Sequence, residues 1–172
     1  MKKINESFLT ASEDHLPDAF EKLKIYIEDG ADINWTENDM YSALLLACGT
    51  NNKNSVQFLL DNGADFKYMN KLGENCLYHA TNSSELKPEV IRILLEKDVE
   101  LNIFTKEKKS LFSRIEKSLD YFLGEGKHDS RREEAFQERY DVLKLFIPFY
   151  TKLHPQDQKI FQKYRVKMFF SV

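Results

Sequence analysis

Residues 28–35 read Glu-Asp-Gly-Ala-Asp-Ile-Asn-Trp, and residues 61–68 answer with Asp-Asn-Gly-Ala-Asp-Phe-Lys-Tyr, without a gap and with Gly30 and Gly63 33 residues apart. Leu23, Ile25, Tyr26 and Ile27 precede the first copy; Val56, Phe58, Leu59 and Leu60 precede the second. In both, the apolar spacing of a helix stops at the glycine. The chain must leave the helix through positive φ there, which glycine does most cheaply. Ala and Asp then make a tight turn, and Ile33 or Phe66 is expected to point back to the core. A weaker copy, Glu-Lys-Asp-Val-Glu-Leu-Asn-Ile, occupies 96–103, with Asp98 in place of glycine 35 residues after Gly63. The two extra residues fall in the polar stretch 82–88, whose Pro88 suits a first helical turn and is followed by Glu89, favourable against the helix dipole. Aspartate tolerates left-handed backbone less well than glycine, so this third cap is expected to be the least stable.

Between the caps lies a shorter helix in each unit, Ser42–Cys48 (Ser-Ala-Leu-Leu-Leu-Ala-Cys) and Asn75–Thr81 (Asn-Cys-Leu-Tyr-His-Ala-Thr). Helix, turn, helix and extended loop at a period of 33 resembles the ankyrin repeat, whose signature is Gly-x-Thr-Pro-Leu-His-x-Ala in the first helix and Gly-Ala-Asp after the second. Gly73, Leu77 and Ala80 match in one unit, with Asn75, Cys76 and Tyr78 where Thr, Pro and His are usual; Ser42, Leu44 and Ala47 match in the preceding unit, where Met40 replaces the glycine. The resemblance extends loosely to Phe8, Leu9 and Ala11 as the first helix of an N-terminal unit whose second helix opens at Pro17. Past residue 105 it loosens further. Leu111 and Phe112 stand where Leu-His would be, Glu107 replaces Gly and Arg114 replaces Ala.

Leu111, Ile115, Leu119 and Phe122 then prolong that helix, another follows from about Arg131, and the turn-rich loop Gly124–Ser130 lies between them. Pro148 and Pro155 bracket a connection to a last amphipathic helix, Gln156–Phe170, with Ile160, Phe161, Tyr164 and Met168 toward the core. The expected fold is an all-α ankyrin-repeat solenoid of about four helical-pair units with a C-terminal capping helix. Its expected boundaries are 1–36 for an N-terminal capping unit, 37–69 and 70–104 for two repeats, 105–150 for an elongated atypical repeat and 151–172 for the cap. Repeats of this kind bury their apolar faces only against neighbours, so the stack needs both ends covered.

Composition narrows the function classes. At 172 residues and 42% apolar content the chain builds one core. No apolar run approaches the roughly 20 residues of a membrane span, and polar residues follow Lys2 and Lys3 where a signal peptide needs an apolar stretch. Cys48 and Cys76 lack ligand spacing and a neighbouring base, so both read as free buried thiols in a reducing cytoplasm. The net charge of −3 conceals 10 basic against 18 acidic residues in 1–100 and 15 against 10 in 101–172. Such asymmetry suits an acidic surface that steers a basic partner.

Catalysis finds little footing. Gly124-Glu-Gly126-Lys127 lacks the earlier glycine and the following hydroxyl of a phosphate loop, with Tyr121 and His128 in those places. His15, His79, His128 and His154 stand apart from ligand partners, and Glu133 and Glu134 face different directions on a helix. No catalytic, cofactor or metal residue is assigned. Lys159, Lys163, Arg165 and Lys167 interleave Phe161, Tyr164, Phe169 and Phe170, a pattern an amphipathic cap produces as readily as a nucleic-acid site in an acidic chain. Neither nucleic acid nor membrane is expected as a partner.

The ankyrin resemblance implies a row of loop tips, or fingers, beside a concave face of first helices, where family members bind proteins. In register after the turn come Trp35, Tyr68 and Ile103, then Thr36, Met69 and Phe104, then Asn38, Asp39 and Tyr41 with Lys71, Leu72 and Glu74. Large apolar groups beside charges are the composition of interface anchors with a charged rim. Against this stands packing of Trp35 and Tyr68 along the loops. The expected protein is therefore a monomeric, non-catalytic interaction module. An inhibitor of a toxin or enzyme, as in immunity proteins, leads. A bacterial effector binding a host regulator, with a delivery signal in Met168–Val172, is the alternative, and an enzyme with a site in 110–150 the third.

Overall fold

The computed structural model describes residues 1–16, 18–123 and 130–169. Pro17, the loop 124–129 and the tail from 170 lie outside the described residues, so the expectations placed on them are not met or refused. The order is α1 (Lys2–Ser12), α2 (Ala19–Glu28), β1 (Thr36–Glu37), β2 (Tyr41–Ser42), α3 (Ala43–Gly49), α4 (Lys53–Asp61), α5 (Cys76–Thr81), α6 (Pro88–Leu95), α7 (Ser113–Leu123), α8 (Ser130–Lys144), a 3-10 turn at Ile147–Lys152 and α9 (Pro155–Phe169). Helices pack in pairs, α1 on α2, α3 on α4, α5 on α6 and α7 on α8. The first helices stack α1, α3, α5 and the second α2, α4, α6, α8. This is an all-α repeat solenoid with, among the described residues, one short β-hairpin.

Local chemistry sets the helix ends. Ser42, Asn52 and Asn75 leave extended backbone and accept, through their side chains, from the amides of Leu45, Ser55 and Tyr78. Each satisfies a donor that the first helical turn leaves open. At the other ends Gly30 and Gly63 adopt φ of 90° and 88°. The amides of Ala31 and Ala64 then reach back to the carbonyls of Tyr26 and Leu59, both at 2.9 Å, so the two octapeptides make the same turn. Asp98 makes the third turn at φ 53°.

The core is one continuous apolar layer from Phe8 in α1 to Tyr164 in α9. Leu23, Val56, Leu59, Leu77, Val90 and Leu94 have no measurable exposure, and each such side chain contributes about 1.5–3 kcal/mol by leaving water. Asparagine side chains tie the units together. Asn5 accepts from the Asp32 amide, Asn34 bridges the Gly63 carbonyl and the Asp65 amide, Asn51 donates to the carbonyls of Ala80 and Glu85, and Asn82 joins the Leu111 carbonyl to the Arg114 amide. A planar amide can donate, accept or, as at Asn34 and Asn82, do both at once, which suits gaps between repeats where backbone groups are left over.

The C-terminal end is held by aromatic rings and one carboxylate. Phe112 meets Phe146 edge to face at 4.7 Å and Phe161 at 5.8 Å. Asp157, on α9 and without exposure, accepts from the amides of Leu111 and Phe112 at 3.2 and 3.1 Å. Burial pushes its carboxyl up to about 6, against the lowering pull of these hydrogen bonds and of Ser110. Tyr164 donates to Asp120 at 2.8 Å, where Lys163 also pairs at 2.7 Å.

One expectation here is corrected. Lys108, not Glu107, takes the glycine place, with φ 60°, and the pairing Phe104 with Ser110 repeats that of Thr36 with Ser42. Phe112 therefore stands at the leucine position and Ile115 at the alanine position, one residue later than the spelling of Leu111-Phe112 implies. Both are buried.

Candidate protein-docking face

Three fingers follow the three turns. Finger one is the β1–β2 hairpin, which turns through Asn38 and Asp39 at φ 51° and 56°. Finger two turns at Gly73, φ 82°. The Asn70 side chain accepts there from the amides of Leu72 and Glu74 at 2.9 and 3.0 Å. Finger three turns at Lys108, with the Lys109 amide donating to the Thr105 hydroxyl at 3.1 Å. The fingers also join one another: the Lys71 amide donates to the Asp39 carbonyl at 3.0 Å and the Lys106 amide to the Leu72 carbonyl at 2.8 Å. A Cβ on Gly73 would stand 3.7 Å from the Thr105 backbone, which measures how closely fingers two and three approach.

Two registers divide the large side chains. Trp35 and Tyr68 are half-buried and pack on the core; burial pushes the Tyr68 phenol up, against the lowering pull of Thr36 beside it. Ile103, the expected third member of that row, is 1% exposed. It is a core residue and is withdrawn from the partner-facing set: its compact branched side chain is enclosed where the rings of Trp35 and Tyr68 protrude. The next register points outward, with Met69 and Phe104 each 43% exposed and Thr36 half-buried. Phe104 lies flat on His154, ring centroids 4.5 Å apart, so one of its faces is already taken by the connection to α9.

Asn38, Asp39, Lys71 and Tyr41 are exposed at the tips and inner edges, while Leu72 and Glu74 are half-buried. Beside them α3 and α5 offer Leu46, Gly49 and His79, all half-buried. His79 Nε2 lies 3.4 Å from Glu74 Oε2, and Asn70 donates to the same oxygen at 2.8 Å. His79 leads in holding the Glu74 carboxyl below its ordinary range, against burial and with help from Asn70 and Lys109. Among the described residues no cluster of three or more His, Cys, Asp or Glu is placed to hold a metal ion, and Cys48 and Cys76 are buried free thiols. Burial and the neighbouring Cys76 push the Cys48 thiol well up, which leaves little thiolate to react.

A family model described as ankyrin repeats, in three copies, matches residues 8–105. The chain belongs to the ankyrin-repeat family. No curated protein matches it. Ankyrin repeats are protein–protein interaction modules and in general scaffolds without enzymatic activity. Among the described residues no helix of this ankyrin chain is long and apolar enough to cross a membrane.

Sequence reasoning passed over Leu46, Gly49, Lys106, Lys109 and Arg114, which share the finger side of this ankyrin stack. The signal was available in part. Counting 33 or 35 residues onward from Tyr41 and Leu46 reaches Glu74 and His79, and then Lys109 and Arg114.

Proposed function

We propose that this ankyrin chain is a non-catalytic binder that docks another protein across its three fingers and the first-helix face beside them. The observation that carries this reading is one exposed large apolar group on each finger. Tyr41, beside Thr36 on the finger-one hairpin, and Met69 and Phe104 in the outward register are 39%, 43% and 43% exposed, on successive fingers and among charged neighbours. Isolated exposed apolar residues are ordinary, but one on each of three adjoining loops makes an anchor row with a polar rim.

Within that reading, the partner is a toxin or enzyme that the chain inhibits as a monomer in the cytoplasm, in the manner of an immunity protein. The carboxylates of finger one, Glu37 and Asp39, support a cationic patch on that partner. The test pairs capture with activity. Wild type and Tyr41→Ala/Met69→Asp are used side by side to recover partners from the native cell, and each purified partner is assayed at equal molar ratio. Partners retained by wild type, lost by the double variant and silenced on mixing support the reading. A partner that keeps full activity defeats the inhibitor assignment, and equal capture by both proteins defeats the docking face.

A further inference from the structure

The finger row is electrically graded. Finger one (36–42) carries Glu37 and Asp39 and no lysine or arginine; finger two (69–75) carries Lys71 and Glu74; finger three (104–110) carries Lys106, Lys108 and Lys109 against Glu107. Glu37, Asp39, Lys106 and Lys108 are all exposed and make no ion pair among the described residues. Lys109 binds Glu107 at 2.6 Å, and Arg114 adds an exposed guanidinium on the α7 side. The row therefore runs from two carboxylates, through balance, to a cationic end.

The middle is apolar and electrically quiet. Met69 is exposed and Leu46 and Leu72 half-buried, while finger two carries one charge of each sign, Lys71 and Glu74. A Cβ on Gly49 would stand 3.8 Å from His79 Nδ1, in ordinary van der Waals contact, so α3 and α5 lie side by side behind the fingers. Neighbouring helical units pack about 8–10 Å apart, and three fingers thus span about 20 Å. That is the reach of about six extended residues.

We infer that the row fits one segment of a partner protein with a cationic end over finger one, an apolar centre over Met69, Leu46 and Gly49, and an anionic end over finger three. The inference rests on the docking reading above and adds direction and composition to it. Charges arranged this way set orientation and suppress wrong partners more than they add affinity. A uniformly basic partner surface would meet Lys106, Lys108 and Arg114 with like charge, so the cationic patch on the partner is confined to one end.

A random peptide display library tests this against three proteins: wild type, Glu37→Lys/Asp39→Asn and Lys106→Glu/Lys108→Asp. Asn and Asp are used at the two positive-φ positions because they tolerate left-handed backbone, and an unchanged melting temperature confirms folding. Wild type is expected to enrich peptides with Lys or Arg toward one end, an aliphatic or aromatic centre and Asp or Glu toward the other. The first variant is expected to enrich peptides anionic at both ends, and the second peptides cationic at both. Wild-type peptides should bind each variant about tenfold more weakly and weaken as salt is added.

Enrichment of the same peptides on all three proteins, of single-sign peptides on wild type, or of no peptide at all overturns the inference. Cross-linking of the bound peptide then separates the layers. Peptides that attach to the fingers without the charge pattern overturn the polarity alone, and peptides that attach to the α2–α4–α6 side overturn the docking face as well.

Discussion

The glycine-capped part of the stack, up to about residue 105, and the part beyond it solve one packing problem with different chemistry. In the first, short helices repeat a common turn, and asparagine amides join backbone groups of adjacent units. In the second, helices lengthen, the inter-unit asparagines stop after Asn82, and aromatic rings with the Asp157 carboxylate hold α9 on the last pair. Regular units can share one small device because their gaps are alike; an irregular end needs contacts made for that place alone. Stability in such arrays is close to a sum over units and their interfaces, so the two chemistries can be perturbed separately.

The largest effect is expected at the aromatic end. Phe112→Ala removes a ring with no exposure that touches both Phe146 and Phe161, and should cost about 3–5 kcal/mol in denaturant unfolding. Hydrogen exchange should show α7–α9 opening before α3–α6. Simultaneous opening of the whole stack would erase the distinction drawn here.

Asp157→Ala comes next, leaving the Leu111 and Phe112 amides without their acceptor and costing about 1–3 kcal/mol. Asp157 also has a pH signature. Its folded-state value of about 6 lies above the ordinary 3.8, so the folded state binds the proton more tightly. The resulting contribution is fully present below about 4 and is lost as pH rises through about 6. Relative to Asp157→Asn, wild type should lose stability over that window and show a constant difference above it.

Asn51→Gly tests the other chemistry, glycine accepting the φ of 52° held there. It removes two hydrogen bonds to the next unit, for about 1–3 kcal/mol, and should loosen α5 and α6 against α3 while leaving α9 protected. The smallest effect has the opposite sign. Asp98→Gly relieves left-handed backbone at the third turn and should raise stability by up to about 1 kcal/mol, since the exposed pair it gives up with Lys152, at 3.6 Å, is worth little.

The repeat frame was legible because its costliest backbone conformations are recorded in residue type. Gly30 and Gly63 mark their turns outright, and Asp98 marks the third through its spacing. The same signal misled at finger three. Lysine at 108 accepts positive φ where the Thr105 hydrogen bonds enforce it, and nothing in the word Lys announces that, so the alignment slipped by one residue to Glu107. The asparagine ties were hidden for another reason. An amide side chain spells the same whether it caps a helix, turns a loop or spans two units, and only the stack decides. For the candidate face, spacing placed Thr36, Met69 and Phe104 in one register, but could not tell that Ile103 lies inside while Trp35 and Tyr68 lie half outside. Exposure depends on side-chain size against a neighbour that is distant in sequence. Leu46 and Gly49 were passed over because attention stayed on the loops, although the helices beside them belong to the same surface.

The hydrogen bonds from Lys71 to Asp39 and from Lys106 to Leu72 carry a last consequence. Loop tips standing alone would lose conformational freedom when a partner stilled them, a loss that weakens association. Here the backbones of all three fingers are already fixed to one another, so only side chains such as Met69 and Lys106 have freedom left to lose, at about 0.5–1.5 kcal/mol each. Cutting one of these ties, for instance by replacing Lys71 with proline, would remove the amide donor together with an exposed charge, and the freed tips would make docking entropically more costly.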